Sequence, residues 1–193
     1  MHPAKPRSKQ PVRMTLLTCL AALAAVSGLC AAGSPASVAT RAATPATRAA
    51  TPTCATSQLV IWLNTPGSGA AGSVYYDLQL TNLGSRSCSL RGYPGVSAVN
   101  LRGHQLGRGA GRDGYQQATT VTLAHGDTAT AVLRITEAGV LPPSTCREVI
   151  AAGLRVYPPD RTTAKLVPFP FQACSGRAAS NMTVSRVGPF KEE

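Results

Sequence analysis

Between residues 73 and 82 the chain alternates apolar and polar positions, with Val74, Tyr76, Leu78 and Leu80 on one side and Tyr75, Asp77, Gln79 and Thr81 on the other. A period of two belongs to a strand with one face buried. Residues 59–64 form a more continuous apolar run holding Trp62, the single tryptophan. That run reads as a strand covered on both faces or at a sandwich core, with Trp62 in the core. Residues 120–123 and 128–136 flank Ala124-His125-Gly126-Asp127 and read as a hairpin whose Val121, Leu123, Ala129, Ala131, Leu133 and Ile135 point inward. Further short strands are expected at 96–101, 154–157, 166–171 and 182–187. The one helix candidate is 143–152, with Ser144 as its cap. About seven or eight short strands parted by turn signals predict an all-β antiparallel β-sandwich rather than alternating strands and helices.

Ahead of this region the pattern is different. Lys5, Arg7, Lys9 and Arg13 precede an uncharged apolar run from 14 to 32, which is the layout of a signal peptide. Residues 1–32 are therefore expected to carry the chain out of the cytoplasm. The run is also long enough for an uncleaved membrane anchor. Cys30 closes it as in a lipoprotein, but Leu29 stands where a lipidation signal wants a small residue. Residues 33–53 collapse onto Ala, Thr, Pro and Ser, and the unit ATRAATP occurs at 39–45 and again at 46–52. With no large apolar side chain beyond Val38, nothing offsets a backbone ordering cost of roughly 1–2 kcal/mol per residue. A disordered linker is expected there, followed by one domain over 54–188 and a C-terminal tail over 189–193.

Composition agrees with a turn-rich β-domain: Gly 18 and Pro 15 in 193 residues, with 14% charged side chains. The formal charge of +11 includes the four leader cations; from Gly33 onward 15 basic residues face 8 acidic ones. The excess favours anionic partners without selecting one. Of six cysteines, Cys19 and Cys30 lie in the leader, which leaves Cys54, Cys88, Cys146 and Cys174 for the domain. In an exported chain an even count implies disulfides. Three connectivities are possible, and closure of local loops favours Cys54 with Cys88 and Cys146 with Cys174. Chain entropy assigns roughly 3.5–4 kcal/mol to each such bond. A zinc site is disfavoured, because no C-x-x-C pair occurs.

The strings Thr81-Asn82-Leu83-Gly84 and Cys88-Ser89-Leu90-Arg91-Gly92-Tyr93-Pro94-Gly95-Val96, followed by Gly103, Leu106, Val121-Thr122-Leu123 and the late cysteines, carry a resemblance. Over nearly all of 54–188 the chain resembles the domain of unknown function family 4232, found in exported actinobacterial proteins and lipoproteins. The resemblance implies an immunoglobulin-like sandwich outside the cytoplasm and brings no established activity. Tyr93-Pro94-Gly95 fits a turn in that setting: Pro94 fixes φ, Gly95 is free to take a positive φ, and Tyr93 packs beneath.

Candidate chemistry is sparse. Residues 67–72 (GSGAAG) and 109–114 (GAGRDG) match G-x-G-x-x-G, but neither follows a strand and opens a helix as nucleotide binding requires. Both read as inter-strand loops, and no cofactor is expected. Residues 101–115 hold Arg102, His104, Arg108 and Arg112 among five glycines, with Tyr115 at the end and Asp113 the only acid. Guanidinium forks suit phosphate or carboxylate, so this stretch is the candidate binding loop. Tyr75, pointing outward, is a possible addition to a binding face. Nucleic acid is not expected as a partner, because aromatic stacking platforms are missing and the chain leaves the cytoplasm.

Beyond the leader only His104 and His125 remain, with no metal-ligand spacing, no G-x-S-x-G elbow and acids scattered among turns. No catalytic residue and no metal site is expected. Asn181-Met182-Thr183 matches the N-glycosylation acceptor pattern, which a bacterial source would leave unused. The sequence thus points to a secreted or envelope-associated, non-enzymatic module that binds a cell-envelope polymer or an exported protein, touching membrane only through an uncleaved or lipidated N-terminus. A secreted hydrolase of unrecognised type is the alternative.

Overall fold

Alternation of apolar and polar side chains carries most of the domain into strands. The computed structural model describes residues 50–115 and 117–190. The expected signal peptide, the linker as far as residue 49 and the last three residues lie outside the described residues. In chain order the strands are β1 (Leu59–Ala70), β2 (Ser73–Asn82), β3 (Cys88–Arg91), β4 (Gly95–Val99), β5 (Gln105–Leu106) and β6 (Gly111–Arg112). They continue with β7 (Thr120–Leu123), β8 (Thr128–Thr136), β9 (Glu148–Tyr157), β10 (Lys165–Cys174), β11 (Met182–Val184) and β12 (Gly188–Pro189). One four-residue helix, α1 (Pro143–Cys146), precedes β9.

One sheet runs β1-β2-β8-β11-β6 with β12 also on β8, a second runs β10-β9-β4-β5, and β3 pairs with β7. The fold is the expected all-β sandwich. The named strand pairs are antiparallel except β6 with β11. Strand number exceeds the expectation through β3, of four residues, and β5, β6 and β12, of two residues each, too few to show a period. Leu59, Leu78, Leu80 and Leu133 from one side meet Leu154 and Val156 from the other, with Leu90 and Leu123 at the end, all essentially without solvent contact. Burying each such side chain stabilises by about 1.5–3 kcal/mol.

Trp62 is not in the core. In β1 the residues Leu59, Ile61 and Leu63 are buried, while Val60 and Trp62 remain 41% and 42% exposed. β1 pairs only with β2 and forms the edge of its sheet, so its run is covered on one face and not on both. Gln79, expected outward, is only 4% exposed, in register between Trp62 of β1 and Thr130 of β8. Residues 67–70 are not loop but the end of β1, which turns into β2 through Ala71 and Gly72 at φ 47° and 71°.

The expected hairpin of 120–123 with 128–136 does not form. Its apolar residues do face the core, but β7 pairs with β3 and β8 with β2, so the turn at 124–127 carries the chain between sheets. Asn82 holds that crossing. Fully buried, its Nδ2 donates to the carbonyls of Arg86 (3.0 Å), Leu123 (3.1 Å) and Ala124 (3.2 Å), and its Oδ1 accepts the Gly84 N–H at 2.9 Å. The short motif around Asn82 is therefore a polar clamp whose every group is satisfied.

The helix expected over 143–152 stops after one turn. Arg147 takes a left-handed φ of 50°, and Glu148 opens β9; Ser144 caps nothing. Both favoured disulfides are present, Cys54 to Cys88 and Cys146 to Cys174, with Cα atoms 4.8 and 4.5 Å apart. Two formed disulfides indicate an oxidising, extracellular compartment. Residues 52 and 53 are tied to the domain. Pro52 accepts the Ser89 N–H at 2.8 Å and Thr53 bridges to Ser89 in parallel, while Arg161 donates to Thr53 and Cys54 carbonyls.

Candidate functional site

The outer face of β8 carries Val132 and Arg134, both exposed, because their neighbours Leu133 and Ile135 point into the core. Register places Arg134 between Tyr75 of β2 and Thr183 of β11. Beyond β11, the parallel strand β6 sets Arg112 beside Val184. Asp113 donates its N–H to the Val184 carbonyl at 2.9 Å, and the Val132 N–H donates to Ser185 Oγ at 2.8 Å. Arg112, Arg134, Tyr75, Tyr115, Asp113 and Ser185 thereby line a groove of about 550 Å³.

Cations outnumber carboxylates in this lining, Arg112 and Arg134 against Asp113. Among the described residues no carboxylate stands within ion-pair distance of Arg112 or Arg134, so their N–H donors stay available. Arg112 instead lies over Tyr93, its guanidinium carbon 5.7 Å from the ring centroid, a cation–π arrangement that orients the side chain. Tyr115 is 97% exposed at the rim. Two guanidinium forks, hydroxyls and two tyrosine rings suit a small acidic ligand that also has hydroxyls or a ring face.

The five candidate residues between 102 and 115 do not act as one loop. Arg112 and Tyr115 join the groove. Arg108 lies next to it, on a neighbouring depression shared with Arg112 and Thr183, and its N–H donates to the Ala179 carbonyl at 2.7 Å. Arg102 and His104 belong to the turn between β4 and β5, where Asn100 Oδ1 accepts both of their backbone N–H groups at 3.0 and 2.9 Å. That turn stands beside Ile150, at a separate surface.

Arg134, Thr183 and Ser185 escaped the sequence reading. The parity of β8 does place Arg134 outward as its only cation, a usable signal. Nothing local announces that β11 and β6 close the groove. The G-x-G-x-x-G match at 109–114 contains β6; a Cβ at Gly109 would press on the Val96 carbonyl oxygen at 3.3 Å, whereas one at Gly111 would make only ordinary contact with Thr183 at 3.5 Å.

The histidines occupy different turns. His125 Nδ1 is 3.1 Å from the Gly84 carbonyl, and its neighbour Asp127 is used by the turn, accepting the Ala124 N–H at 2.9 Å. His104 is exposed in the β4–β5 turn. Asn181 of the acceptor pattern is 5% exposed, donating to the Thr136 and Gln172 carbonyls at 2.8 and 2.9 Å. Its amide is a structural tie between β8 and β10.

A family model described as "Domain of unknown function (DUF4232)" matches residues 54–191, which include both disulfides and the whole groove. No curated protein and no solved structure matches the chain.

Proposed function

The chain belongs to the DUF4232 family, and from that premise we propose that it is an exported, non-enzymatic binding module that takes an anionic ligand into the groove between Arg112 and Arg134. The observation that supports this most is the pair of exposed guanidinium groups that line one groove, neither in an ion pair with Asp113, the lining's one carboxylate. Both stand on paired strands, so the spacing of their backbones is set before a ligand arrives, and the cost that remains is the ordering of two arginine side chains. The ligand is an envelope component, or an exported partner, that carries carboxylate or phosphate groups. A hydrogen bond to a charged group contributes about 1.5–3 kcal/mol. Two of them contribute about 3–6 kcal/mol, most of which the cost of association offsets, so a single acidic sugar is held only weakly.

Titration of the full chain with trigalacturonate, and with uncharged maltotriose as control, tests the reading. Binding of the acidic sugar alone, weakened tenfold or more in the Arg112→Ala and Arg134→Ala variants, supports it. Equal affinity in the double variant removes the groove from the account. Cleavage of the trisaccharide during the titration replaces the binding module with the secreted hydrolase.

A further inference from the structure

The groove between Arg112 and Arg134 does not end at its own walls. Arg112 and Thr183 also line the neighbouring depression of about 590 Å³ that holds Arg108. That depression in turn shares Ala178 and Ser180 with a third, of about 690 Å³, flanked by Arg147 and Arg177. Residues from 177 to 185 contribute to all three in order, so one stretch of chain forms a common floor. Residues 177 and 178 lie in a turn, so the floor is shorter than the roughly 26 Å that eight extended steps would span, room for a few sugar units.

Charge follows the same path. Arg147, Arg177, Arg108, Arg112 and Arg134 are all exposed, and none has a side-chain hydrogen bond or ion pair among the described residues. Arg155 and Arg161 behave differently: the first donates to the Gly103 carbonyl and the second to those of Thr53 and Cys54, which makes them parts of the frame. Arg86, Arg91 and Arg102 are exposed too but stand outside these walls. Asp113 is the single carboxylate in the three linings. The frame thus spends its committed arginines elsewhere and leaves five along one line.

We infer that the three depressions form one track for a linear anionic polysaccharide, with the Arg112–Arg134 groove as its first subsite. The inference rests on the anion-binding reading above and extends it from a single acidic unit to a chain of them. A polysaccharide fits better than a nucleic acid. Tyr75 and Tyr115 offer rings at one end only, whereas single-stranded nucleic acids are held by stacking faces for successive bases. The rest of the track presents the hydroxyls of Ser144 and Thr183, which suit sugar hydroxyls, while those of Thr145 and Ser180 already donate to the carbonyls of Pro142 and Met182. Each acidic unit alone binds weakly, and linked units gain from effective concentration once the first is seated.

The test is a length series of galacturonate oligomers, from disaccharide to dodecasaccharide, titrated into the full chain. Polyphosphate and oligothymidylate of matching charge serve as comparison arms. Affinity is expected to rise at least tenfold with length. The Arg108→Ala/Arg177→Ala variant, whose thermal midpoint should match the parent because both side chains are exposed and unbonded, keeps disaccharide binding and loses the gain. Arg134→Ala weakens every length. If the parent binds short and long oligomers alike, or if the Arg108/Arg177 variant keeps the full gain, the track is wrong and the first groove stands alone. If no oligomer binds at any length, both readings fall. Polyphosphate or oligothymidylate binding as tightly as the galacturonate chain overturns the polysaccharide assignment.

Discussion

The guanidinium carbon of Arg112 stands 5.7 Å from the centre of the Tyr93 ring. Tyr93 belongs to the Tyr93-Pro94-Gly95 string, whose part looked purely structural in the sequence. The turn is built differently from that expectation: Gly92, not Gly95, takes the positive φ, at 102°. Tyr93 nevertheless reaches the groove by orienting one of its two cations. An exposed cation–π contact contributes about 0.5–1 kcal/mol, so Tyr93→Leu is expected to weaken trigalacturonate binding roughly two- to fivefold, whereas Tyr93→Phe keeps the ring and stays close to the parent. Calorimetric titration distinguishes them, and a Leu variant with parental affinity would show that Arg112 needs no such support.

Asn82 predicts a large stability loss from one small substitution. Asn82→Ala leaves three carbonyls and the Gly84 N–H without their partner in a buried turn, which costs about 2–4 kcal/mol. Leu83→Ala next to it, at an exposed position, stays within about 0.5 kcal/mol of the parent. Urea unfolding measures both. Equal midpoints for the two variants would contradict the clamp.

The disulfides separate stability from binding. Removing either pair, as Cys54→Ala/Cys88→Ala or Cys146→Ala/Cys174→Ala, should cost about 3.5–4 kcal/mol by loop entropy. Only the second pair also fastens the wall of the track: Ser175 and Gly176 donate their N–H groups to the carbonyls of Arg147 and Cys146, each at 3.0 Å. The Cys146/Cys174 variant is expected to lose the length-dependent part of binding below its melting point, and the Cys54/Cys88 variant to keep it. Identical binding profiles for the two would argue that the wall stands without its bond.

Trp62, the only tryptophan, reports on the edge strand directly. Lying half exposed on the outer face of β1, it should show red-shifted emission and ready quenching by acrylamide in the folded protein. Trp62→Ala is expected to cost less than Leu63→Ala, for which the cavity left in the core costs about 2–5 kcal/mol. Blue-shifted emission protected from the quencher would return Trp62 to the core.

Much of the frame was legible in the chain. β2 and β8 alternate over many residues, and the cysteine pairs close short loops, so local pattern sufficed for both. Sheet membership was not legible at residues 120–136, where apolar parity is right but says nothing about which neighbour each strand pairs with. Trp62 misled because an uninterrupted apolar run looks the same on an edge strand as on a covered one. The groove was half visible: Arg112, Tyr115 and the outward Tyr75 stood out by composition and parity. Arg134 meets Tyr75 and Thr183 through the pairings of β8 with β2 and β11, and Arg112 reaches them through the parallel pairing of β6 with β11, two short elements some seventy residues apart in sequence. Short non-local pairings leave no periodic trace.

The account turns on whether the pair Arg112 and Arg134 receives an anion. Amide chemical-shift mapping of the labelled full chain during titration with trigalacturonate asks this most directly. Saturable shifts gathered on Tyr75, Arg112, Arg134 and Thr183, with the turn at Arg102 and His104 unmoved, are the expected result. Shifts confined to that turn, or none at saturating sugar, would contradict it.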